Sequence, residues 1–524
     1  MKLAAQGRYD EALALIKREN PLPAICGRVC NRRCEDACTR GRVDAAVAID
    51  EVKKFIAQRD LDAATRYVPP VVTPTRAGGF DQKIAIIGAG PAGLSCAFYL
   101  AEKGYKPVVF EKNERPGGML TYGIPSFKLQ KDVIEAEVEV IRLMGAEFRY
   151  GVEVGRDVTL DELRAQGFKA FYVAIGCQGG RLAGIPGEDA EDVTVAVDFL
   201  REVNSGKIDT LSGRTIVVGG GNVAIDVARN ACRLGSEHVE MFCLESEAQM
   251  PASEEERREA VEDGAHISCG WGPKEIHLDE AGHVCGITFK RCTRVFDDEG
   301  RFAPEYDESD LRRVDADRVV MSIGQSIVWG DLLAGSKVEL GRGQGALADP
   351  QTYQTAEPDI FVGGDVYTGP SFAIDAIAAG HEAAVSIHRF VQPGSTLTIG
   401  RNQRRYTALD RDDVVLESYD NASREVAHVD REREKAAPFS EYVETFTEEQ
   451  VRAETARCLG CGASIVDPNK CIGCGLCTTK CAFDAIHLDR DRPECSTMVK
   501  YEQKLPSLGK YALKRAIKIK FGRK

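Results

Sequence analysis

The sequence lacks a surplus of basic residues and has no long apolar stretch. No apolar run approaches the roughly 20 residues that a membrane-spanning helix requires, so we expect no transmembrane segment. The 68 Lys and Arg against 81 Asp and Glu give a net charge of −13. This balance argues against nucleic acid as the main partner, because phosphate binding needs excess basic side chains. Charged residues interrupt the apolar pattern from Met1 to Ile16, so we expect no signal peptide and predict a cytoplasmic protein.

At 524 residues and 43% apolar content, the chain is long enough for three or four domains. Helical spacing from Glu11 to Lys17 and from Ala45 to Gln58 predicts helices near the N-terminus. The proline-rich stretch "YVPPVVTPT" marks a linker. After Lys83, seven short apolar segments alternate with longer helical ones: "KIAIIGAG", "KPVVFEK", "FYVAIG", "RTIVVGGG", "HVEMFCLE", "RVVMSIG" and "DIFVGGD". This alternation predicts an α/β fold with parallel sheets.

The first glycine-rich motif follows the first of these strands and opens a helix. It comprises Gly88, Gly90, Pro91, Ala92 and Gly93. In a dinucleotide-binding fold, the first glycine permits the tight turn, the second lets a pyrophosphate approach the backbone, and the third lets the helix pack on the strand. Glu111 ends the next strand, where a carboxylate binds ribose hydroxyls. The motif therefore predicts a dinucleotide site.

A second motif of this kind lies about 130 residues further along. It comprises Gly219, Gly221, Asn222, Val223 and Ala224, again between a strand and a helix. Alanine is tolerated in the third position of the motif. Two such motifs in series predict a flavin site and a nicotinamide site in separate folds.

The motifs together carry a family resemblance. The stretches "GAGPAGLSCAFYLAEKGYKPVVFEKNERPGGMLTYGIPSFKL", "GIPGED", "VVGGGNVAIDVARNACRLG", "MPAS" and "DIFVGGDVYTGPSFAIDAIAAG" resemble the small-subunit flavoproteins of glutamate synthase over residues 20 to 395. Similar proteins are the flavin end of dihydropyrimidine dehydrogenase and the large subunit of flavin-based transhydrogenases. The resemblance implies FAD, a nicotinamide nucleotide on an inserted domain, and iron–sulfur clusters near the N-terminus. It implies these FAD contacts: Gly88, Gly90, Pro91, Ala92, Gly93, Glu111, Lys112, Gly117, Gly118, Gly364 and Asp365.

The nucleotide preference depends on the residues after the second motif. Relatives that use NADPH place Tyr-Arg-Arg before Met-Pro, whereas this sequence has Cys243, Leu244 and Glu245 there. A carboxylate suits the free 2′-hydroxyl of NADH and repels a 2′-phosphate. We therefore predict NAD(H) over NADP(H), unless Arg257 or Arg258 compensates.

Cysteine is abundant, and eleven of the 18 lie in two groups near the chain ends. This distribution favours metal in a reducing compartment over disulfides. The other seven, at positions 96, 177, 232, 243, 269, 285 and 292, are expected to be small buried apolar side chains. None of them forms a Cys-x2-Cys or Cys-x4-Cys pair beside either glycine motif. The pattern therefore argues against thioredoxin reductase or glutathione reductase chemistry.

Near the C-terminus, Cys471, Cys474, Cys477 and Cys481 have the spacing of a bacterial ferredoxin, whose thiolates bind a 4Fe-4S cluster. A zinc knuckle is the competing interpretation. In two-cluster ferredoxins, the fourth cysteine of such a run binds the other cluster, and Cys481 holds that position here. Cys458 and Cys461 are candidates for half of the ligands of such a second cluster. Cys495 is a spare candidate, and Ala482 replaces the usual proline.

The N-terminal group comprises Cys26, Cys30, Cys34 and Cys38. A continuous helix would spread these residues over about 18 Å, so the backbone must turn between them. Relatives carry an upstream cysteine group that shares these clusters, and this sequence begins after it. Three alternatives stay open: a partner subunit supplies the missing ligands, Cys458 and Cys461 supply them, or one cluster is absent. The expected total is two or three 4Fe-4S clusters.

We predict seven regions: a helical iron–sulfur domain (1–75), an FAD-binding domain in two parts (76–205 and 326–395), an inserted NAD(H)-binding domain (206–325), a connector (396–455), a ferredoxin-like domain (456–500) and a basic tail (501–524). The predicted function is an NADH-oxidising or NAD-reducing flavoprotein that passes electrons singly to a redox partner subunit or ferredoxin. We expect the chain to be a subunit of a hetero-oligomeric complex, and the sequence leaves open whether that complex bifurcates electrons. The alternatives are an NADPH-dependent glutamate synthase-type donor and a non-enzymatic iron–sulfur scaffold.

Overall fold

The computed structural model describes residues 1–72, 79–399, 401, 419–461, 471–481, 486–488 and 500–521. The chain forms two compact units, one of Met1–Arg401 with Val414–Cys461 and one of Asn402–Asp413 with Gly462–Lys524. The described helices are α1 Lys2–Ala5, α2 Tyr9–Lys17, α3 Pro23–Val29, α4 Arg33–Asp36, α5 Ile49–Leu61, α6 Pro91–Glu102, α7 Met119–Tyr122, α8 Lys131–Leu143, α9 Leu160–Ala165, α10 Ala196–Asn204, α11 Asn222–Arg233, α12 Glu254–Glu262, α13 Asp365–Thr368, α14 Ala373–Val391, α15 Arg431–Ala436, α16 Glu448–Ala456, α17 Leu476–Lys480 and α18 Tyr501–Phe521.

The described strands are β1 Lys83–Ile87, β2 Val108–Glu111, β3 Glu147–Tyr150, β4 Phe168–Val173, β5 Gly179–Gly180, β6 Val193–Val195, β7 Arg214–Val218, β8 His238–Cys243, β9 His266–Cys269, β10 Trp271–Leu278, β11 Val284–Phe296, β12 Phe302–Val314, β13 Arg318–Met321, β14 Gln325–Ser326 and β15 Ile360–Val362. All seven strands predicted from the apolar segments are present. Their cores are buried because helices cover both faces of parallel sheets.

Two five-stranded parallel sheets organise the first unit. The first has the strand order β15-β4-β1-β2-β3, and the second has the order β6-β13-β7-β8-β9. Strand β15 returns to the first sheet after the chain has completed the second. This topology confirms the predicted α/β class with one nucleotide-binding fold inserted into another. An antiparallel sheet of β10, β11 and β12 and a short pair of β14 with β5 complete the described strands.

The N-terminal helices form a core with a segment from much later in the chain. Side chains from α1, α2 and α5 pack against Phe446 and Val451, which lie just before and within α16. The sequence predicted an extended connector here, yet its described part holds α15 and α16; residues 402–418 lie outside the described residues. A capping box at Thr447 and Gln450 begins α16.

The predicted helix from Ala45 to Gln58 begins four residues later than expected, at Ile49. The carboxylate of Glu454, on α16, accepts the backbone N–H of Ala48 at 2.7 Å. The carbonyl oxygen of Ala45 accepts from the Arg457 guanidinium at 2.6 Å. Contacts with a segment about 400 residues away therefore hold Ala45 to Ala48 outside the helix, and no local pattern encodes them.

The second unit contains α17 and the 21-residue α18 among its described residues. Cys471, Cys474 and Cys477 are exposed, and Cys481 is partly exposed. Cys495 and Ala482 lie outside the described residues. Of the helices that the structure describes, none combines the length and apolarity needed to cross a bilayer.

Candidate functional site: two dinucleotide cradles and a cysteine-rich helical domain

The first glycine motif forms a tight turn between β1 and α6. Gly88 has a φ of +104°, and a Cβ built there would lie 2.4 Å from the carbonyl oxygen of Ala174. A Cβ at Gly93 would lie 2.0 Å from the Gly88 oxygen. Gly90 precedes α6, and no side chain caps the free N–H groups of its first turn. Uncapped N–H groups at a helix N-terminus are a binding site for a phosphate anion.

Two more segments predicted to contact FAD meet at this turn. The carboxylate of Glu111 accepts the N–H of Ala89 at 2.8 Å. The N–H of Gly117 donates to the Ala89 oxygen at 2.8 Å. Gly118 has a φ of +55°, and a Cβ there would lie 3.0 Å from the Cα of Gly90. The structure therefore brings these residues around one turn, as the resemblance implied.

The last predicted FAD segment approaches from the other end of the domain. A Cβ at Gly364 would lie 3.0 Å from the Cβ of Ala92. Asp365 begins α13 beside it, and burial raises the pKa of its carboxyl to about 6. Lys112 instead lines a small adjoining cavity of about 40 Å³ together with Gly88 and Glu111. The close backbone contacts around this turn fit a bound pyrophosphate, so the residues present fit FAD.

The second motif repeats this geometry between β7 and α11. Gly219 has a φ of +144°, and a Cβ there would lie 2.3 Å from the oxygen of Ser322. Gly221 precedes α11 without a side-chain cap on that helix. A Cβ at Gly220 would lie 3.0 Å from Oε2 of Glu245, so this carboxylate lies against the glycine turn. The residues therefore fit a nicotinamide dinucleotide.

One cavity of about 810 Å³ connects these features. We call the glycine turn before α6 the first cradle and the glycine turn before α11 the second cradle. The cavity wall includes Gly90 and Asp365 at the first cradle and Asn222 and Val223 at the second. It also includes Cys30, from the N-terminal cysteine group. A single space thus borders the predicted flavin site, the predicted nicotinamide site and one predicted cluster ligand.

A partly buried ion-pair cluster at the wall of this cavity joins one nucleotide-binding fold to the other. Nζ of Lys128, in the first fold, lies 2.6 Å from Oδ1 of Asp226 on α11 and also pairs with Glu256 on α12. Burial raises the pKa of Asp226 to about 6, although Lys128 opposes that rise. Lys128 therefore fixes the inserted fold against the first one at the cavity wall.

We expect Lys128→Met to lower the melting temperature at pH 8 by roughly 5 °C or more, because it leaves the partly buried Asp226 carboxylate without its counter-ion. The loss should be smaller at pH 5. The folded-state pKa of Asp226 is above its unfolded value, so its contribution to stability is present at low pH and declines as pH rises through about 6. Thermal unfolding followed by circular dichroism at both pH values measures this. Lys106→Met, an exposed lysine, is the control, and equal losses at both pH values would contradict the prediction.

The N-terminal cysteines lie on a turning backbone, as the spacing predicted. Cys26 is within α3, Cys30 and Cys34 flank the start of α4, and Cys38 follows α4. All four are free thiols, and burial raises the pKa of Cys26 to about 12. Within the part of the chain that the structure describes, no three cysteine, histidine or acidic side chains converge as a metal site. Four free thiols within 13 residues remain a donor set that suits iron–sulfur clusters.

The structure adds residues that sequence reasoning did not place at the cavity. Arg32 has a φ of +54° and pairs with Glu255 of α12 at 3.3 Å. It lines the cavity with Asn31 and Cys30. Its position between two cysteines was the available signal, but a left-handed arginine and its distant partner are not readable from sequence. Cys243 and Cys269, expected to be separate apolar residues, have sulfur atoms 3.7 Å apart across β8 and β9.

Three family profiles match the chain. The pyridine nucleotide-disulphide oxidoreductase profile matches residues 82–380, the dihydropyrimidine dehydrogenase domain II 4Fe-4S profile matches 1–65, and the 4Fe-4S binding domain profile matches 464–487. These matches confirm the predicted combination of flavin and pyridine nucleotide binding with 4Fe-4S clusters, and hence an oxidoreductase. They do not distinguish NAD from NADP.

Several curated proteins are similar over most of this chain. The β subunit of an NADP⁺-dependent formate dehydrogenase from Moorella thermoacetica is 35% identical over 87% of this chain and 67% of its own length. The glutamate synthase [NADPH] small chain of Escherichia coli K12 is 35% identical over 75% and 85%. The PreT subunit of NAD-dependent dihydropyrimidine dehydrogenase from that strain is 33% identical over 73% and 85%.

A solved structure shares the fold of the central region. FprA of Mycobacterium tuberculosis in complex with NADPH aligns with a TM-score of 0.51 and 20% identity, covering 60% of this chain and 85% of that one. At this identity the likeness shows the fold alone. With the profile match over residues 82–380 and the similarity to glutamate synthase small chains, the chain belongs to the pyridine nucleotide-disulphide oxidoreductase family.

Proposed function

We propose that this chain takes a hydride from NADH and passes the electrons singly, through iron–sulfur clusters, to a partner protein. The observation that carries the proposal is the shared cavity, whose wall includes residues of both cradles and Cys30. Bound FAD would convert a two-electron hydride donor into a source of single electrons. Hydride transfer needs the two rings in contact, and a common cavity permits that contact.

The residues of the chain have distinct roles in this proposal. The free N–H groups after Gly90 and Gly221 would bind the two pyrophosphates. Glu111, whose carboxylate also binds the Ala89 N–H, would orient the flavin nucleotide ribose. The Lys128 ion pairs would hold α11 at the distance that hydride transfer requires. We assign no general acid or base, because hydride transfer depends mainly on geometry.

NADH is the proposed nucleotide because of the charges around the second cradle. The Glu245 carboxylate lies against Gly220, where it would repel a 2′-phosphate and accept from a 2′-hydroxyl. Of the two arginines that the sequence left as possible substitutes, Arg257 is engaged elsewhere, whereas the exposed Arg258 also lines the cavity. Arg257 donates to the backbone oxygen of Glu247 at 2.7 Å, and Arg258 pairs with Glu262 at 3.8 Å. Relatives are named for both nucleotides, so they do not decide between them.

A partner protein is proposed as the electron acceptor because several relatives are named as subunits. Besides the formate dehydrogenase and dihydropyrimidine dehydrogenase subunits, the β subunit of an NADPH-Fe(3+) oxidoreductase from Geobacter sulfurreducens is 31% identical over 87% of this chain. The exposed thiols Cys471, Cys474 and Cys477 would hold the terminal cluster near solvent, where a partner has access. This accounts for a ferredoxin-like segment on a nucleotide-dependent enzyme.

Anaerobic mixing of the purified, flavin- and iron-loaded protein with NADH and an oxidised viologen dye tests the proposal. We expect the flavin absorbance at about 450 nm to bleach, as that of oxidised flavins does on reduction, followed by dye reduction. A Cys474→Ser variant should keep flavin bleaching and lose most dye reduction. Absence of bound flavin in the wild-type protein, or bleaching only with NADPH, would contradict the proposal.

A further inference from the structure

The residue before Cys458 is anchored in the N-terminal helical domain. Arg457 is fully buried, and its guanidinium binds the Asp44 carboxylate at 3.0 Å as well as the Ala45 oxygen. In return, the guanidinium of the buried Arg40 donates to the Arg457 carbonyl oxygen at 2.9 Å. Arg40 lies two residues after Cys38. The two arginines are buried and Asp44 is exposed, and their charge-assisted contacts fix the start of the Cys458–Cys461 turn beside that cysteine.

The other end of the turn lies in the same place. Sγ of Cys461 is 3.3 Å from Oγ1 of Thr39, the residue after Cys38. Gly460 has a φ of +68°, a conformation that glycine adopts without strain, and a Cβ there would lie 3.0 Å from Cε of Lys2. The turn therefore contacts Lys2 on one side and the cysteine loop at Thr39 on the other, while Cys461 itself is exposed.

The ferredoxin-like tail does not need this pair. Cys471, Cys474, Cys477, Cys481 and Cys495 are five thiols, so a tail cubane has the four ligands that it needs without Cys458 and Cys461. The 4Fe-4S profile for the tail begins at residue 464, after the pair, and the first compact unit ends at Cys461. Family matching and chain compactness thus both separate Cys458 and Cys461 from the tail cluster.

We propose that Cys458, Cys461 and Cys38 are ligands of one 4Fe-4S cluster in the N-terminal helical domain. Resting on the iron–sulfur chemistry of the proposed function, this assignment joins cysteines more than 400 positions apart. It leaves Cys26, Cys30 and Cys34 for another site, next to the cavity that Cys30 lines. The cluster would also fasten α16 to the N-terminal helices, so that iron loading and folding of the two chain ends are coupled.

The test compares full-length Cys461→Ser, Cys38→Ser and Cys474→Ser variants by iron content and by electron paramagnetic resonance of the dithionite-reduced protein. We expect Cys461→Ser and Cys38→Ser to lose the same spectral component and each up to about four iron atoms. Cys474→Ser should lose a different component. Cys232→Ser, outside both cysteine groups, is the matched control and should retain every signal. Loss of the same component in Cys461→Ser and Cys474→Ser, or no loss in Cys461→Ser, would overturn the assignment.

A second variant keeps all the cysteines in case a ligand variant fails to fold. In Thr39→Cys, the new thiol would lie within disulfide range of Cys461, and oxidation of iron-free protein by a small-molecule disulfide would form that bond while releasing two small-molecule thiols. We expect iron reloading to restore the Cys38-dependent signal only after reduction. Reloading that is unaffected by the oxidation would refute the proposal. Flavin bleaching by NADH should persist in all variants, so its loss would count against the proposed function instead.

Discussion

Gly90→Ala is expected to yield a folded protein that purifies with little FAD. Gly90 has a φ of −75°, and a Cβ built there meets no heavy atom within 4 Å. The methyl group therefore fits the flavin-free fold but occupies the space where a pyrophosphate must approach the α6 N–H groups. We expect flavin affinity to fall roughly 100-fold, which corresponds to about 2.7 kcal/mol. The flavin-to-protein absorbance ratio and a fluorescence titration with FAD measure this.

Gly221→Ala is the matched control in the second cradle. Its φ is −91°, and a Cβ there also meets no heavy atom within 4 Å. This variant should keep its flavin and raise KM for NADH, because it alters only the other cradle. Gly93→Ala should instead impair folding, since its Cβ would lie 2.0 Å from a backbone oxygen. If Gly221→Ala lost flavin, or Gly90→Ala retained it, the assignment of cofactors to cradles would be wrong.

Glu245→Gln should reduce the preference for NADH over NADPH by roughly 10- to 100-fold. The glutamine keeps a hydrogen-bonding oxygen for the ribose but removes the negative charge that repels a 2′-phosphate. Most of the change should be a lower KM for NADPH, with little change in kcat, because the ribose lies far from the reacting carbon. Steady-state dye reduction with both nucleotides gives the ratio of kcat/KM values.

Glu247→Gln removes the same charge two residues away, at an exposed position. This control should leave the nucleotide preference within about twofold, since solvent and salt screen an exposed charge. Equal effects of the two substitutions would show that overall charge, and not the contact of Glu245 with the cradle, sets the preference. A wild-type protein that already prefers NADPH would also contradict the assignment.

Much of the fold followed from local pattern. The seven apolar strands, the two glycine turns and the helices after them were predicted because each depends on neighbouring residues: Gly88 must adopt a positive φ, and Gly93 must leave room for the Gly88 oxygen. The order of strands then implied an inserted second fold. Assignment of the individual FAD, NAD(H) and cluster residues stays a prediction, although the structure gathers the residues around each cradle.

Interactions between distant segments were not predictable in this way. Helical spacing predicted that α5 begins at Ala45, but contacts with Glu454 and Arg457 hold residues 45–48 outside the helix. The partners of Lys128, which are Asp226 and Glu256, lie in the inserted fold about 100 and 130 residues away, and no local pattern indicates either contact. Such contacts depend on the arrangement of whole elements, which propensity and periodicity do not encode.

The sequence by itself determined the cofactor chemistry, because glycine turns and thiol spacings act over a few residues and permit few alternatives. Only the tertiary structure decided which distant groups share a site: that Cys30 borders the same cavity as both cradles, and that Cys461 lies at Thr39 and outside the tail unit. The physical reason is that contacts such as the ion pair of the buried Arg457 with Asp44 form between residues far apart in the chain, and their energy depends on burial of the arginine that only the folded protein provides.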